Sequence, residues 1–508
     1  MTISFNNIPD NLRTPNVYVE VDNSRALKGL VQNPHKALVI GQKTTAGTVP
    51  PLTLMAITRD NLADGYFGLG SITARMCNKF KENNPNTELY ALALDSIAGG
   101  IEASTTIDFS RHVENADGFS GAGTFHLMIN GMYLPYTMES NQSVSGMMTN
   151  YESMINSDLG LPVHAFFNHV AAASRLHLSA VCSGSVGNYI DVRVNYYDGQ
   201  STPAHLFSTA DAMNTSVHNS LLGGAVNADI GTAWAVIGVE QFHYIIQPYV
   251  DPTNLTALET ELEGRFGPLE NLQGHGFTCI GGILTSCATL GNARNCPHNT
   301  IVGVDDAPNA PEEWAAAWGG VAAWNLNNDP ARPLHFLKLK GILPPPISSR
   351  FIRSERDTLL YDGIATHIVD SGGNVLIERS ITTYRETALG TPDPSYLDIQ
   401  TLATLSEIRY QYRARMIQRF IIPRFKLADD TFPVQPGSHV ATPKTVKQET
   451  IALFTLLYQK GLIENLEDFI DNLVVERSLS DVNRIDVLLP PDLINQFRLI
   501  AAQIQFIL

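Results

Sequence analysis

Apolar residues along the chain fall into continuous runs, alternations and helical spacings, and each pattern predicts a different element. Ala37-Leu38-Val39-Ile40-Gly41 is a continuous run ended by glycine, the pattern of a strand buried on both faces. A helix is predicted from Ser71 to about Asn83, where Asn83-Asn84-Pro85 stops it, and Glu88–Leu94 follows as a strand. This β-α-β rhythm argues for an α/β core. From about Gly99 to Gly199 the texture changes. Thr124–Gly131 and Met132–Tyr136 read as a hairpin with a glycine corner. Arg175–Val181 and Tyr189–Val194 flank a turn, and one helix is predicted near Ser143–Asn156. A mainly β insertion in the α/β domain is expected there. The α/β rhythm resumes at the apolar run Trp234–Val239, and a helix follows Asp251-Pro252 with Thr253 as a candidate cap. Phe277–Ile280 and Thr300–Val304 read as strands, and Pro311-Glu312-Glu313-Trp314 opens a helix with proline and acids at the correct end. Ile364–Val369 and Val375–Tyr384 form a hairpin around Gly372-Gly373. Past the Pro-rich joint Gly390–Pro394, two helices are predicted near Ile399–Arg419 and Pro443–Gln459, then strand-like segments.

Both ends carry strand patterns without an obvious partner. Residues 1–36 hold Pro9, Pro15 and Pro34 and read as an extended arm, in which Val17, Val19 and Val21 alternate onto one face. The last ten residues, Leu499–Leu508, alternate in the same way through Ala502, Ile504 and Phe506. Such an end either pairs within its own sheet or adds a strand to a neighbouring molecule. Twenty extended residues at about 3.3 Å each reach some 66 Å, well beyond one domain.

Composition sharpens this. Of 508 residues, 44% are hydrophobic and 17% charged, against roughly 25% charged in soluble domains. Disorder is excluded, material for about three domains is present, and a thinly charged surface implies contact with other protein. The formal net charge is −16, of which residues 1–394 carry −15 and residues 395–508 carry −1. Wrapping a phosphate backbone is excluded for the chain as a whole. Residues 405–426 are the exception, at +5. There Arg409/Arg413 and Arg415/Arg419 form two i,i+4 pairs on different helical faces, which fits a solvated helix or one that meets an acidic partner. The opening residues Met1–Pro9 lack a basic and an apolar region, so no secretory signal is expected, and no window suits a bilayer span. A protein made in the cytoplasm is expected.

Little chemistry is visible. No phosphate-binding or dinucleotide glycine motif occurs. Gly118-Phe119-Ser120-Gly121-Ala122 lacks the last glycine of a hydrolase elbow. His275, Cys279, Cys287, Cys296 and His298 lack the tight pairing of zinc ligands and read as core or loop residues. The five cysteines are too few and uneven for a disulfide framework. Helix-start chemistry accounts for Glu312-Glu313, and solvated loops for Asp305-Asp306 and Asp429-Asp430.

Several segments together resemble the tail sheath proteins of contractile phages, the Mu-like group in particular. They are Ile3–Pro9, Ala37–Gln42, Phe67–Ser71, Asn83–Leu89 and, most specifically, Asn483–Leu493 with Gln496-Phe497-Arg498 and the apolar tail. The resemblance implies a subtilisin-like α/β core without proteolytic activity and without a cofactor. By this reading residues 37–98 and 200–390 form the core, 99–199 the insertion and 391–498 an α+β C-terminal sheath domain. Residues 1–36 and 499–508 are strand-forming arms. It implies hexameric rings stacked around a tail tube, linked by arms that donate strands to a sheet of the C-terminal domain in neighbours. Ile3, Phe5, Val17, Val19, Val21, Ile504, Phe506 and Leu508 would make that donation, and Arg409, Arg413, Arg415 and Arg419 would face the tube. Contraction would drive the tube through a bacterial envelope. The implied partners are further copies of the chain, the tail tube protein, and baseplate and tail terminator proteins, with no direct nucleic acid and no membrane insertion. The implied location is the virion tail, after assembly in the host cytoplasm. A divergent subtilisin-like hydrolase, or another self-assembling virion protein such as a tube or capsid subunit, is the alternative.

Overall fold

A computed structural model describes residues 14, 17, 19, 30–108, 122–139, 142–157, 160–170, 173–202, 218–435 and 437–507. The chain divides into two compact units. One holds residues 35–328 and 334–399. The other holds Asp329–Pro333, the chain from Gln400 onward, and the described residues up to Pro34.

The larger unit is built on an eight-stranded sheet. Its order is 375–379, 364–369, 299–304, 275–281, 244–246, 36–42, 88–94, 54–57. The six central strands are parallel, and the two edge strands run antiparallel. Continuous apolar strands need cover on both faces. Ala37, Leu38, Val39 and Ile40 are buried, and helices supply the cover. Helices Ile72–Asn83 and Pro311–Asn328 pack together against the sheet. Leu255, Cys287 and Leu359, from helices Pro252–Phe266, Leu284–Asn292 and Arg353–Tyr361, share another cluster with Ile280, Ile301 and Ile364 of the strands.

Caps fix where the helices begin. Ser71 Oγ accepts the Ala74 N–H at 3.2 Å, and Ser143 Oγ accepts that of Gly146 at 3.1 Å. Asp251, not Thr253, caps the helix Pro252–Phe266, because its Oδ1 accepts the Asn254 N–H. The run Trp234–Val239 lies largely in a helix, Gly231–Ile237, and the next strand is Tyr244–Ile246. Ala233 and Ile237, four apart, are buried there while Val236 faces out, which is helical spacing. The second strand of the last hairpin ends at Arg379 and does not reach Tyr384.

The insertion contains two antiparallel sheets and helix Val144–Ile155 around one core. Strands 102–108, 173–183 and 163–170 form one sheet, and 191–194, 123–129 and 132–138 form the other, joined by strand 218–220 from beyond the expected boundary at residue 199. The strands on either side of the turn near 185 thus belong to different sheets. The turn between them is a 3-10 helix, Ser185–Tyr189. The hairpin corner is Asn130-Gly131, both with positive φ (49° and 75°), the geometry of a two-residue turn that follows strand twist.

Two polar staples hold the insertion on the parallel sheet. Arg75 reaches Glu312 at 2.5 Å and Glu313 at 2.9 Å, and both acids are buried. Glu313 also accepts from Asn130 Nδ2 at 2.6 Å and Asn309 Nδ2 at 2.9 Å, and Asn130 Oδ1 accepts the Ala310 N–H at 2.8 Å. In the second staple, Arg193 of the insertion bonds Asp191 at 2.7 Å and both the carbonyl and carboxylate of Asp306. Burial opposes the Glu313 charge, but Arg75, Lys79 and the two amides outweigh it and hold its carboxyl below the usual range. Burial pushes Glu312 up instead, since only Oε1 meets Arg75 and Oε2 has no hydrogen-bond partner. Removing one partner of a buried, satisfied pair costs about 3–5 kcal/mol. Glu313→Gln, which takes a charge from Arg75 and acceptors from two amides, should therefore lower the stability of this unit by about that amount, and Glu312→Gln, whose Oε2 has no hydrogen-bond partner, by less. All four tryptophans lie in this unit, so urea unfolding followed by fluorescence reads the difference. Equal losses would contradict it.

Candidate functional site

Of the expected strand donors, Ile3, Phe5, Val21 and Leu508 lie outside the described residues. Val17 and Val19 are 85% and 82% exposed and belong to no strand. Among the described residues, the C-terminal segment pairs with no strand beyond Leu493. Asp492-Leu493 pairs antiparallel with Ile463-Glu464, and the Ile494 N–H reaches the Leu462 carbonyl at 3.3 Å. From there to residue 507 no residue lies in a strand. Ile504 is 91% and Phe506 78% exposed, with Phe497, Leu499, Ile500 and Ile507 exposed alongside. An alternating segment with no partner strand leaves its backbone groups and apolar face in water.

The same unit carries a short hairpin, Val474–Arg477 with Ile485–Leu488, in antiparallel register from Val474↔Leu488 to Arg477↔Ile485. Among the described residues no third strand joins it, so both of its edges are open. Val475 and Val487 pack on the core of Phe454, Leu457, Phe469 and Leu473, while Val474 and Leu488 face out. A two-stranded hairpin gains stability from that packing and would gain more from further strands.

The root of the N-terminal arm is tied down in the same unit. The Val31 N–H donates to Gln411 Oε1 at 2.9 Å, and Gln411 Nε2 donates to Val31 O at 2.7 Å. Asn33 Nδ2 donates to Glu407 at 3.1 Å, Tyr410 OH to Gln32 O at 3.1 Å, and Leu30 packs on the core. Glu407 and Gln411 lie one turn apart on helix Ile399–Met416 and bond each other at 2.8 Å. Sequence reading missed this clamp. Its one signal was that polar pair on a helix otherwise noted for arginines.

The four arginines separate. Arg415 and Arg419 both engage Glu449 of helix Pro443–Gln459, the second at 3.3 Å. That shared carboxylate pins the end of one helix to the next. Arg409 is half-buried, and burial, with Arg413 beside it, pulls its pKa down. Arg413 and Arg419 are exposed. Arg419 lies in a π turn, Ile417–Ile421, and the chain there and just beyond exposes Ile421, Ile422, Arg424, Phe425 and Lys426. Positive charge and apolar surface therefore meet at this turn.

At the carboxyl ends of parallel strands, α/β proteins usually bind ligands. Here that rim faces the insertion. A cavity of about 330 Å³ remains, lined by Tyr189 and Asp191 on one side and Gly281, Asp305 and Asp306 on the other. Among the described residues no group of three or more His, Cys, Asp or Glu could hold a metal ion. The five cysteines are buried free thiols, and burial pushes Cys287 and Cys296 up to about 12. Nor is any helix among the described residues long and apolar enough to cross a membrane.

Residues 223–383 match the phage tail sheath protein central domain, and residues 391–507 the phage tail sheath C-terminal domain. The Mu-like prophage FluMu tail sheath protein of Haemophilus influenzae is 37% identical over 508 residues, covering the whole of both chains. Among solved structures, a sheath tail protein of Desulfitobacterium hafniense has a TM-score of 0.46 at 13% identity, covering 94% of this chain and 100% of that one. The contracted helical sheath of the anti-feeding prophage has a TM-score of 0.44 at 11% identity, covering 97% and 99%. With a relative of that identity along its full length, the chain belongs to the phage tail sheath proteins, structural components of a contractile tail.

Proposed function

We propose that this chain is the polymerising subunit of a contractile sheath, stacked as hexameric rings around a tail tube, and that its termini link the rings by strand donation. The observation that carries the reading is the pairing of supply and demand within one chain. Among the described residues, the apolar strand pattern at 499–507 pairs with no strand, and hairpin 474–477/485–488 has two open edges. In a polymer of identical subunits each hairpin takes strands from neighbours, and the arms of Val17, Val19, Ile504 and Phe506 supply them. The donors extend to Ile3, Phe5, Val21 and Leu508. Main-chain hydrogen bonds hold such links while the segments between arm and body absorb rotation during contraction.

In this reading the core is a subtilisin-like frame without catalytic work, its ligand rim given over to the insertion. Residues 1–36 and 499–508 are the arms, 99–199 the outer insertion and 391–498 the sheath domain. The acidic balance of residues 1–394 suits a solvent-facing exterior. Contraction uses no nucleotide, and its free energy is held in the metastable extended assembly. Partners are further copies, the tail tube, the baseplate and the terminator. The sheath assembles in the host cytoplasm and works in the virion tail.

The tube-facing patch, first placed on all four arginines, is better placed at the π turn. Arg415 and Arg409 serve the fold, and the outward cations are Arg413, Arg419, Arg424 and Lys426.

Deleting residues 499–508 should leave a folded, soluble subunit that forms no tubes by negative-stain microscopy. Normal striated tubes from the truncation would contradict strand donation. Reversing Arg413, Arg424 and Lys426 to Glu, with Arg415 intact, should preserve folding but abolish co-assembly with tubes at physiological salt. Sheathed tubes at wild-type yield would remove the π turn from the tube contact.

A further inference from the structure

Four histidines stand at one rim of the parallel sheet. His35 precedes strand Lys36–Gln42, His243 precedes Tyr244–Ile246, His275 opens His275–Gly281, and His298 precedes Asn299–Val304. These strands are consecutive parallel neighbours, so their starting ends coincide. The His35 and His243 rings stack with centroids 4.1 Å apart and planes inclined by 14°. His35 Nδ1 lies 2.8 Å from Tyr244 Oη. Lys36 N–H donates to His243 Nδ1 at 3.2 Å, and His243 N–H donates to Lys36 O at 2.9 Å. His275 N–H then donates to His243 O at 3.0 Å, and His275 Nε2 lies 2.8 Å from Thr300 Oγ1. His243, His275 and His298 are buried.

A ring nitrogen that accepts an N–H bond cannot take a proton and keep that bond. His243 Nδ1 accepts from Lys36, so the ring must be neutral with its proton on Nε2. Protonation would expel the first amide of the strand and place a cation against the stacked His35. Few anions could offset it. Glu240 is engaged by Lys36 Nζ at 3.0 Å, and Glu88 and Tyr90 also act on Lys36. Farther along, Glu259 is taken up by Arg294 and Asn299, each at 3.3 Å. Burial, with His35 and Lys36 alongside, holds His243 well below the ordinary imidazole range. Burial and His298 push His275 down to about 3.

We propose that this histidine rim is an acid-sensitive latch: when neutral it closes the start of the sheet where the chain enters this unit at His35, and protonation opens it. In the open chain these imidazoles take protons near pH 6.5. In the closed rim His243 and His275 resist to lower pH. The stability the rim contributes is therefore complete above about pH 6.5 and lost as pH falls below it. Each proton taken up on opening raises the opening constant up to about tenfold per pH unit.

Hydrogen exchange of the full-length, unassembled chain tests this, with protection corrected for intrinsic rates between pH 7.5 and 4.5. Protection in 36–42 and 244–246 should fall about tenfold or more from pH 6.5 to 5. Helix Val144–Ile155, which holds no histidine, should change far less. In His243→Asn the amide oxygen can accept the Lys36 N–H without titrating, so the selective loss should shrink to the share left by His275. A wild-type rim that loses no more protection than the reference helix would overturn the proposal, whether or not the variant folds. So would an undiminished loss in the variant.

Discussion

A strand's backbone donors and acceptors point sideways, so a strand pattern without a neighbour is an incomplete structure. Helix Pro443–Gln459 and the pairing of Asp492-Leu493 with Ile463-Glu464 fix the chain as far as Leu493. Past Ile494 the chain carries Phe497, Ile500, Ile504 and Phe506 into water. A lone soluble monomer would hide such a segment. In the proposed polymer, neighbouring subunits would cover it.

The proposed strand links would transmit force well only between stiff bodies. The polar staples of the larger unit supply that stiffness within it. Arg75, Glu313, Asn130 and Asn309 form a network whose members satisfy one another, which fixes one arrangement more sharply than apolar contact alone. Arg193 and Asp306 do the same nearby. Both staples occupy the rim where a parallel sheet would otherwise receive a ligand, so the architecture exchanges a binding crevice for a fixed insertion. In the other unit, Glu449 plays the corresponding part for the helix that carries the arginines.

Local signals were legible in proportion to how local their causes are. Ala37–Ile40 and Glu88–Leu94 read correctly because continuous apolar runs need two covered faces. Ser71 and Ser143 marked helix starts because caps act within three residues. Trp234–Val239, where the α/β rhythm resumes, suits a strand or a short helix equally, and only the burial of Ala233 and Ile237 decides for the helix. Glu312-Glu313 looked like ordinary helix-start acids, since nothing nearby announces Arg75, which folding brings to them from far along the chain. The arginine cluster was visible as charge, but Arg415 turns inward to Glu449, a partner on another helix. The clamp of residues 31–33 by Glu407 and Gln411 was hidden for the same reason.

The central claim is that the C-terminal segment becomes a strand only in the assembly. Hydrogen exchange of residues 499–507, compared between dissociated subunits and assembled tubes, tests it most directly. The account expects unprotected exchange in subunits and slow, strand-like exchange in tubes, with matching new protection at 474–477 and 485–488. Exchange of 499–507 that stays fast in intact tubes would contradict it.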